Sequence, residues 1–115
     1  MQISERTTQD VVILDLTGRL TIGDGAEFLR DKVTSVVFQG KSKVLLNLAG
    51  VPYVDSGGLG ELVRCSMAAQ KANGAVKLVG LTTRITDLLA ITKLLNVFET
   101  FETEQEAIAS YMAPA

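Results

Sequence analysis

Asp55 and Ser56 set a carboxylate beside a hydroxyl, and the next four residues read Gly57-Gly58-Leu59-Gly60. The apolar stretch VPYV precedes this DSGGLG unit and an apolar pattern of helical period follows it. The unit therefore sits where a strand ends and a helix begins. The first N–H groups of a helix have no carbonyl partner within it, which suits such a junction to an anion. Glycine costs roughly 1 kcal/mol relative to alanine inside a helix. Glycines at positions 57, 58 and 60 therefore imply either a very tight turn or a backbone that something must approach closely.

Ser56 has two readings. As a helix N-cap it satisfies an orphan amide, a role worth about 1 kcal/mol that Asp55 can fill equally well. On that reading Ser56→Ala costs about the same amount. As a phosphoacceptor on a surface where another protein docks, Ser56 uses the anion-holding helix start, and the glycines gain a purpose that a cap does not require. We take the second reading and keep the first as its alternative. Enzymatic motifs fail on spacing. No Lys-Ser/Thr follows the glycines as a phosphate-binding P-loop requires, and no third glycine completes a dinucleotide fingerprint. Ser56 is preceded by Asp55 and Val54 rather than by the glycine of a nucleophile elbow.

The chain has 115 residues and contains no histidine and one cysteine, Cys65. A Ser-His-Asp or Cys-His arrangement, a structural zinc site and an internal disulfide are thereby excluded. Cys65 reads as a small core residue. Eleven basic against thirteen acidic residues give a net charge of −2, and no segment concentrates Lys and Arg. Nucleic acid and acidic membrane surfaces are not expected partners. The start, MQISERTTQD, lacks the apolar run of a signal peptide, and no run approaches the ~20 apolar residues of a membrane span. The expectation is one cytoplasmic domain over 1–115, with an aliphatic core and no cofactor.

Periodicity places the elements that position the motif. Ile3 to Thr7 and Val11 to Leu16 read as an edge hairpin around a polar break at Thr8 to Asp10. After the loop RLTIGDG, a helix shows Ala26, Leu29, Val33 and Val36/Val37 on one face, and Gly40 ends it. Lys43 to Leu48 reads as a central strand, and its Asn47 as a residue bonded to a neighbouring turn. The helix after the glycines carries Leu59, Leu62, Val63, Ser66 and Ala69, and Asn73-Gly74 closes it. Ala75 to Val79 is a second buried strand. Thr82 or Thr83 caps a helix with the face Ile85, Leu88, Leu89, Thr92, while Arg84 and Lys93 read as its solvated side. Val97 to Phe101 reads as the last strand. A final helix spans about Thr103 to Met112, with Thr103 and Glu106 as a capping box. The order β-β-α-β-α-β-α-β-α predicts an α/β fold with a mostly parallel sheet, an antiparallel edge hairpin and about four helices.

This order, together with VPYVDSGGLGEL, VLLNL and KLVGLTTRITDLLAITKL, resembles the STAS domain, the fold of bacterial anti-sigma-factor antagonists, over nearly the whole chain. The resemblance implies that a serine kinase, itself the anti-sigma factor, phosphorylates Ser56 with ATP. It implies further that only the unphosphorylated form binds this kinase, and that a serine phosphatase resets the switch. Asp55 and Ser56 match the family's aspartate and phosphoacceptor, and Gly58, Leu59 and Gly60 match its G-L-G. Gly57, Thr21 and Asn47 depart from the common pattern, which has Ser or Thr at the first position and Asp at the other two. The STAS fold also serves in signalling scaffolds and lipid-transport assemblies, where Ser56 would be only a cap. The expected docking surface comprises Asp55, Ser56, Gly57, Gly58, Leu59 and Gly60, joined by the Thr21–Asp24 loop if both lie at one edge of the sheet.

Overall fold

Among the described residues the elements run β1 (Gln2–Thr8), β2 (Val11–Thr17), α1 (Ala26–Phe38), β3 (Lys43–Gly50), α2 (Ser56–Lys71), β4 (Ala75–Val79), α3 (Thr83–Ile91), β5 (Thr100–Phe101) and α4 (Glu104–Met112). The computed structural model describes residues 1–112. Gln9 and Asp10 both take positive φ, 50° and 67°. That is the two-residue hairpin turn whose twist matches the flanking strands. It pairs Thr8 with Val11, so β1 runs antiparallel to β2 at the sheet edge. β2, β3, β4 and β5 follow in sequence order and are parallel.

Strand side chains alternate between faces, and here each face has its own helical cover. Val12, Leu14, Leu16, Val44, Leu46, Leu48, Val76 and Leu78 pack with α1, α2 and α3. Val11, Ile13, Leu45 and Val79 pack with Ala107 and Ile108 of α4. The sheet advances one strand at a time, so crossovers of constant hand put α1, α2 and α3 on the same face. β2 and β3, being parallel neighbours, deliver their following loops to one sheet edge.

The last strand is shorter than the apolar run Val97 to Phe101 predicts, with only Thr100 and Phe101 pairing to β4. Leaving α3, Leu94 and Leu95 N–H both donate to the Leu89 carbonyl, and Val97 N–H donates to Leu94, which makes a turn. Phe98 drops from that turn into the core. Thr92, expected on the buried face of α3, is its exposed C-cap. The expected capping box forms only in part at α4, the Glu106 carboxylate taking the Thr103 hydroxyl and not its backbone N–H. Thr103 Oγ1 accepts from Glu106 N–H (3.2 Å) and donates to the Glu106 carboxylate (2.9 Å).

Candidate functional site

Beyond the sheet edge the loops after β2 and β3 bond to each other. Leu20 N–H donates to the Tyr53 carbonyl (3.0 Å) and Asp55 N–H to the Leu20 carbonyl (3.3 Å). Asp55 is extended and caps α2, its Oδ1 accepting from Gly58 N–H at 2.7 Å. Its Oδ2 accepts from Ile22 N–H at 3.3 Å. One carboxylate thus caps the helix and fixes the neighbouring loop against it. The Thr21–Asp24 loop closes on itself through reciprocal backbone bonds of 2.9 and 3.0 Å. Thr21 is buried, its hydroxyl turned to the Asp24 carbonyl, whereas Asp24 is exposed.

Ser56 is the first residue of α2 and is exposed. Since Asp55 takes the capping role, the Ser56 hydroxyl has no hydrogen-bond partner among the described residues. The alternative that left either residue as the cap is settled in favour of Asp55.

The three glycines differ in what surrounds them. A Cβ at Gly58 would overlap the Leu20 carbonyl, which is backbone and cannot yield. A Cβ at Gly57 would strike the Ile22 side chain, which is 70% exposed and free to move. At Gly60 a Cβ would meet nothing within 4 Å. Gly58 is required by the turn, Gly57 lets Ile22 lie close to the helix start, and Gly60 has no reason within the chain. Leu59 is buried and anchors the first turn of α2 in the core.

Beside Ser56 a cleft of about 780 Å³ opens between the first turn of α2 and α3, lined among others by Tyr53, Ser56, Leu59, Arg84, Leu88 and Ile91. Tyr53 is part-exposed, and the guanidinium carbons of Arg19 and Arg84 lie 5.3 and 5.9 Å from its ring centroid. Arg84 is exposed as expected but faces this cleft rather than only solvent.

Sequence reasoning missed Glu61, whose buried carboxylate is held by Arg64 (2.6 Å) and more loosely by Arg30 of α1 (3.4 Å). Only the Glu-Arg spacing of three residues gave a local sign of it; the bond to α1 joins residues 31 apart. Cys65 is buried, and burial, reinforced by the Glu61 charge and opposed by Arg30, pushes its thiol up to about 12. It is an inert core residue. Asn47, expected to bond a neighbouring turn, instead accepts from Ala49 N–H of its own strand (3.1 Å) and donates to Asp15 of β2 (2.9 Å). It lies with Asp15 across the β2–β3 pair, away from the Ser56 cleft. Among the described residues no cluster of His, Cys, Asp or Glu is placed to hold a metal, and no helix is long and apolar enough to cross a membrane.

The STAS domain family model matches residues 2–107. The TM1081 homolog of Thermotoga neapolitana, whose name assigns it provisionally to the anti-sigma factor antagonists, is 29% identical over 103 residues, 90% of this chain and 91% of that one. The crystal structure of TM1081 from Thermotoga maritima superposes with a TM-score of 0.90 at 25% identity, covering 96% of this chain and 95% of the other. The Bacillus cell fate determinant SpoIIAA in its phosphorylated form superposes with a TM-score of 0.73 at 21% identity, over 96% and 99% of the two chains. Fold, motif and family model agree: the chain belongs to the STAS domain family.

Proposed function

We propose that this protein is a cytoplasmic, non-enzymatic anti-sigma-factor antagonist whose single domain spans 1–115 and whose switch is phosphorylation of Ser56. Unphosphorylated, it binds an ATP-dependent anti-sigma serine kinase and so frees a sigma factor. Phosphorylated, it is released until a serine phosphatase restores it. The observation that carries this reading is the division of labour at the start of α2. Asp55 holds both the helix cap and the Ile22 loop, so Ser56 presents an exposed hydroxyl with no structural duty.

The physics of the site supports a switch that spares the fold. A phosphate brings about −1.5 to −2 charge, and at a helix N-terminus the dipole favours it by roughly 0.3–1 kcal/mol. The same charge inside a docked interface, next to Asp55, must shed water and repels that carboxylate, at a cost of several kcal/mol. The docking surface comprises Ser56, Gly57 and Gly60 with Asp55, Ile22 and Asp24 beside them, while Gly58, Leu59 and Thr21, expected on it, are buried and shape it from beneath. Gly60, open to solvent and needed by nothing inside, suits the close approach of a partner's backbone.

Incubation with the cognate kinase and ATP, followed by intact mass and peptide mapping, tests the reading. One added phosphate on Ser56 is expected. A phosphate confined to another residue, such as Ser66 or Thr82, or none at all, overturns it and leaves Ser56 on a constitutive assembly subunit.

A further inference from the structure

The five arginines fall into two groups. Arg6 pairs with Asp15 and Glu104, Arg30 with Asp31 and Glu61, and Arg64 with Glu61. Among the described residues Arg19 and Arg84 have no carboxylate within 4 Å, and both converge on Tyr53, three residues before Ser56. Their positions differ. Arg84 lines the α2–α3 cleft together with Ser56, and it is the one cation among the lining residues, whereas Arg19 is not among them. The other charged groups facing the cleft are the carboxylates of Asp55 and Asp87, and Asp55 is committed to Gly58 and Ile22.

We propose that Arg84 is the built-in receiver for a phosphate on Ser56: the guanidinium leaves the Tyr53 ring, pairs with the phosphate, and so ties α3 to the start of α2 across the mouth of the cleft. The proposal rests on the reading of Ser56 as phosphoacceptor. A guanidinium on an exposed aromatic face is held weakly, while a guanidinium–phosphate pair is charge-assisted and bidentate. With no carboxylate partner to give up, Arg84 is free to make the exchange. The phosphorylated form then differs from the free form in the shape of the cleft as well as in charge.

Phosphoserine placed at position 56 of the full chain by genetic encoding, with no kinase needed, allows the test. Phosphorus NMR follows its second ionisation, which lies near pH ~6 in an unperturbed phosphoserine. Arg84→Gln is expected to raise that pKa by about 0.5, and Arg19→Gln by less than half as much. Both positions are exposed, so both variants keep the fold. An Arg84→Gln shift no larger than that of Arg19→Gln, or no shift in either, overturns the role of Arg84 and leaves the functional reading standing. Failure of the kinase to modify Ser56 does the opposite, removing the functional reading while this measurement keeps its meaning.

Discussion

On the α4 face of the sheet, the Lys77 side chain is almost wholly buried. Its ammonium donates to Ser110 Oγ (2.8 Å), pairs with Glu99 (3.1 Å) and lies 4.2 Å from the centroid of the Tyr111 ring. The Tyr111 hydroxyl is shared between the carbonyls of Val44 (2.6 Å) and Ala75 (2.8 Å), so one side chain joins α4 to two strands. At the α2–α3 end of the molecule the opposite holds. The Ser56 hydroxyl has no partner among the described residues, Arg84 rests on a ring instead of a carboxylate, and Ile91 is 79% exposed at the cleft. One region uses its polar groups to fix the fold, and the other leaves Ser56 and Arg84 uncommitted. Substitutions on the α4 face should therefore change stability and spare binding, and substitutions around Ser56 should do the reverse.

Gly58 crosses that division and gives the largest expected effect. Its missing Cβ lets the Leu20 carbonyl approach the first turn of α2. Gly58→Ala should lower unfolding free energy by about 3 kcal/mol, because backbone must move to admit the methyl. Gly60→Ala, two residues on, meets nothing and gains helix propensity, so it should stabilise by up to about 1 kcal/mol. If Gly60 is the point of closest approach, the same variant binds the kinase more weakly. Denaturant melts and a calorimetric titration of both variants would show whether the division runs between neighbouring glycines of one motif.

Next comes the charge at position 56. With Asp55 as the cap, Ser56→Ala should change stability by less than about 0.5 kcal/mol, not by the ~1 kcal/mol that a capping serine implies. Its kinase affinity should stay near that of the wild type. Ser56→Asp should also fold normally yet bind at least ~30-fold more weakly, about 2 kcal/mol. Affinity that falls for Ala and holds for Asp would break the comparison, since Ser56 would then serve the fold and not the switch.

Tyr111→Phe is the counterpart on the α4 face. It removes the hydroxyl shared by two backbone carbonyls beneath the helix and should cost about 1–2 kcal/mol of stability. Kinase affinity should remain unchanged. A loss of binding at full stability would place part of the docking surface on α4 and end the simple contrast.

These differences follow how far apart in sequence the cooperating residues lie. The element order, the hairpin, the DSGGLG junction and the Thr103 cap of the last helix were legible because each depends on neighbours within a turn or two. The Val97 to Phe101 run misled because an apolar pair reads alike in a strand and in a turn that inserts one phenylalanine into the core. Lys77 with Ser110, and Tyr111 with Val44, join residues 33 and 67 positions apart, so no local pattern announces them. Arg84 read as solvated surface for the same reason: what distinguishes it is Tyr53, from another loop. At the site, the identity of the motif was legible, but the assignment of the cap to Asp55 needed the geometry.

The smallest effect sharpens the contrast through acid. The Arg6 guanidinium beside Asp15, opposed by burial and aided by the Asn47 amide, holds the Asp15 carboxyl below its usual range. Arg6 also pairs with Glu104, so the network links the edge hairpin to the start of α4. In the unfolded chain this carboxyl titrates near ~3.9. As pH falls the unfolded state therefore takes up the proton first. The stability contributed by the network is complete above about pH 4 and is lost as pH drops through the lower folded value. Asp15 is part-exposed, so solvent screening keeps the contribution under about 1 kcal/mol. Glu5, lowered by its bond to Lys32, adds to the same acid window. Asp15→Asn should flatten the fall in stability between about pH 5 and pH 3 without abolishing it. Urea midpoints at the two pH values, for wild type and variant, give the comparison. Equal slopes would mean that the Arg6–Asp15–Asn47 network contributes nothing, and that the apolar cluster with Lys77 and Tyr111 secures the α4 side without it.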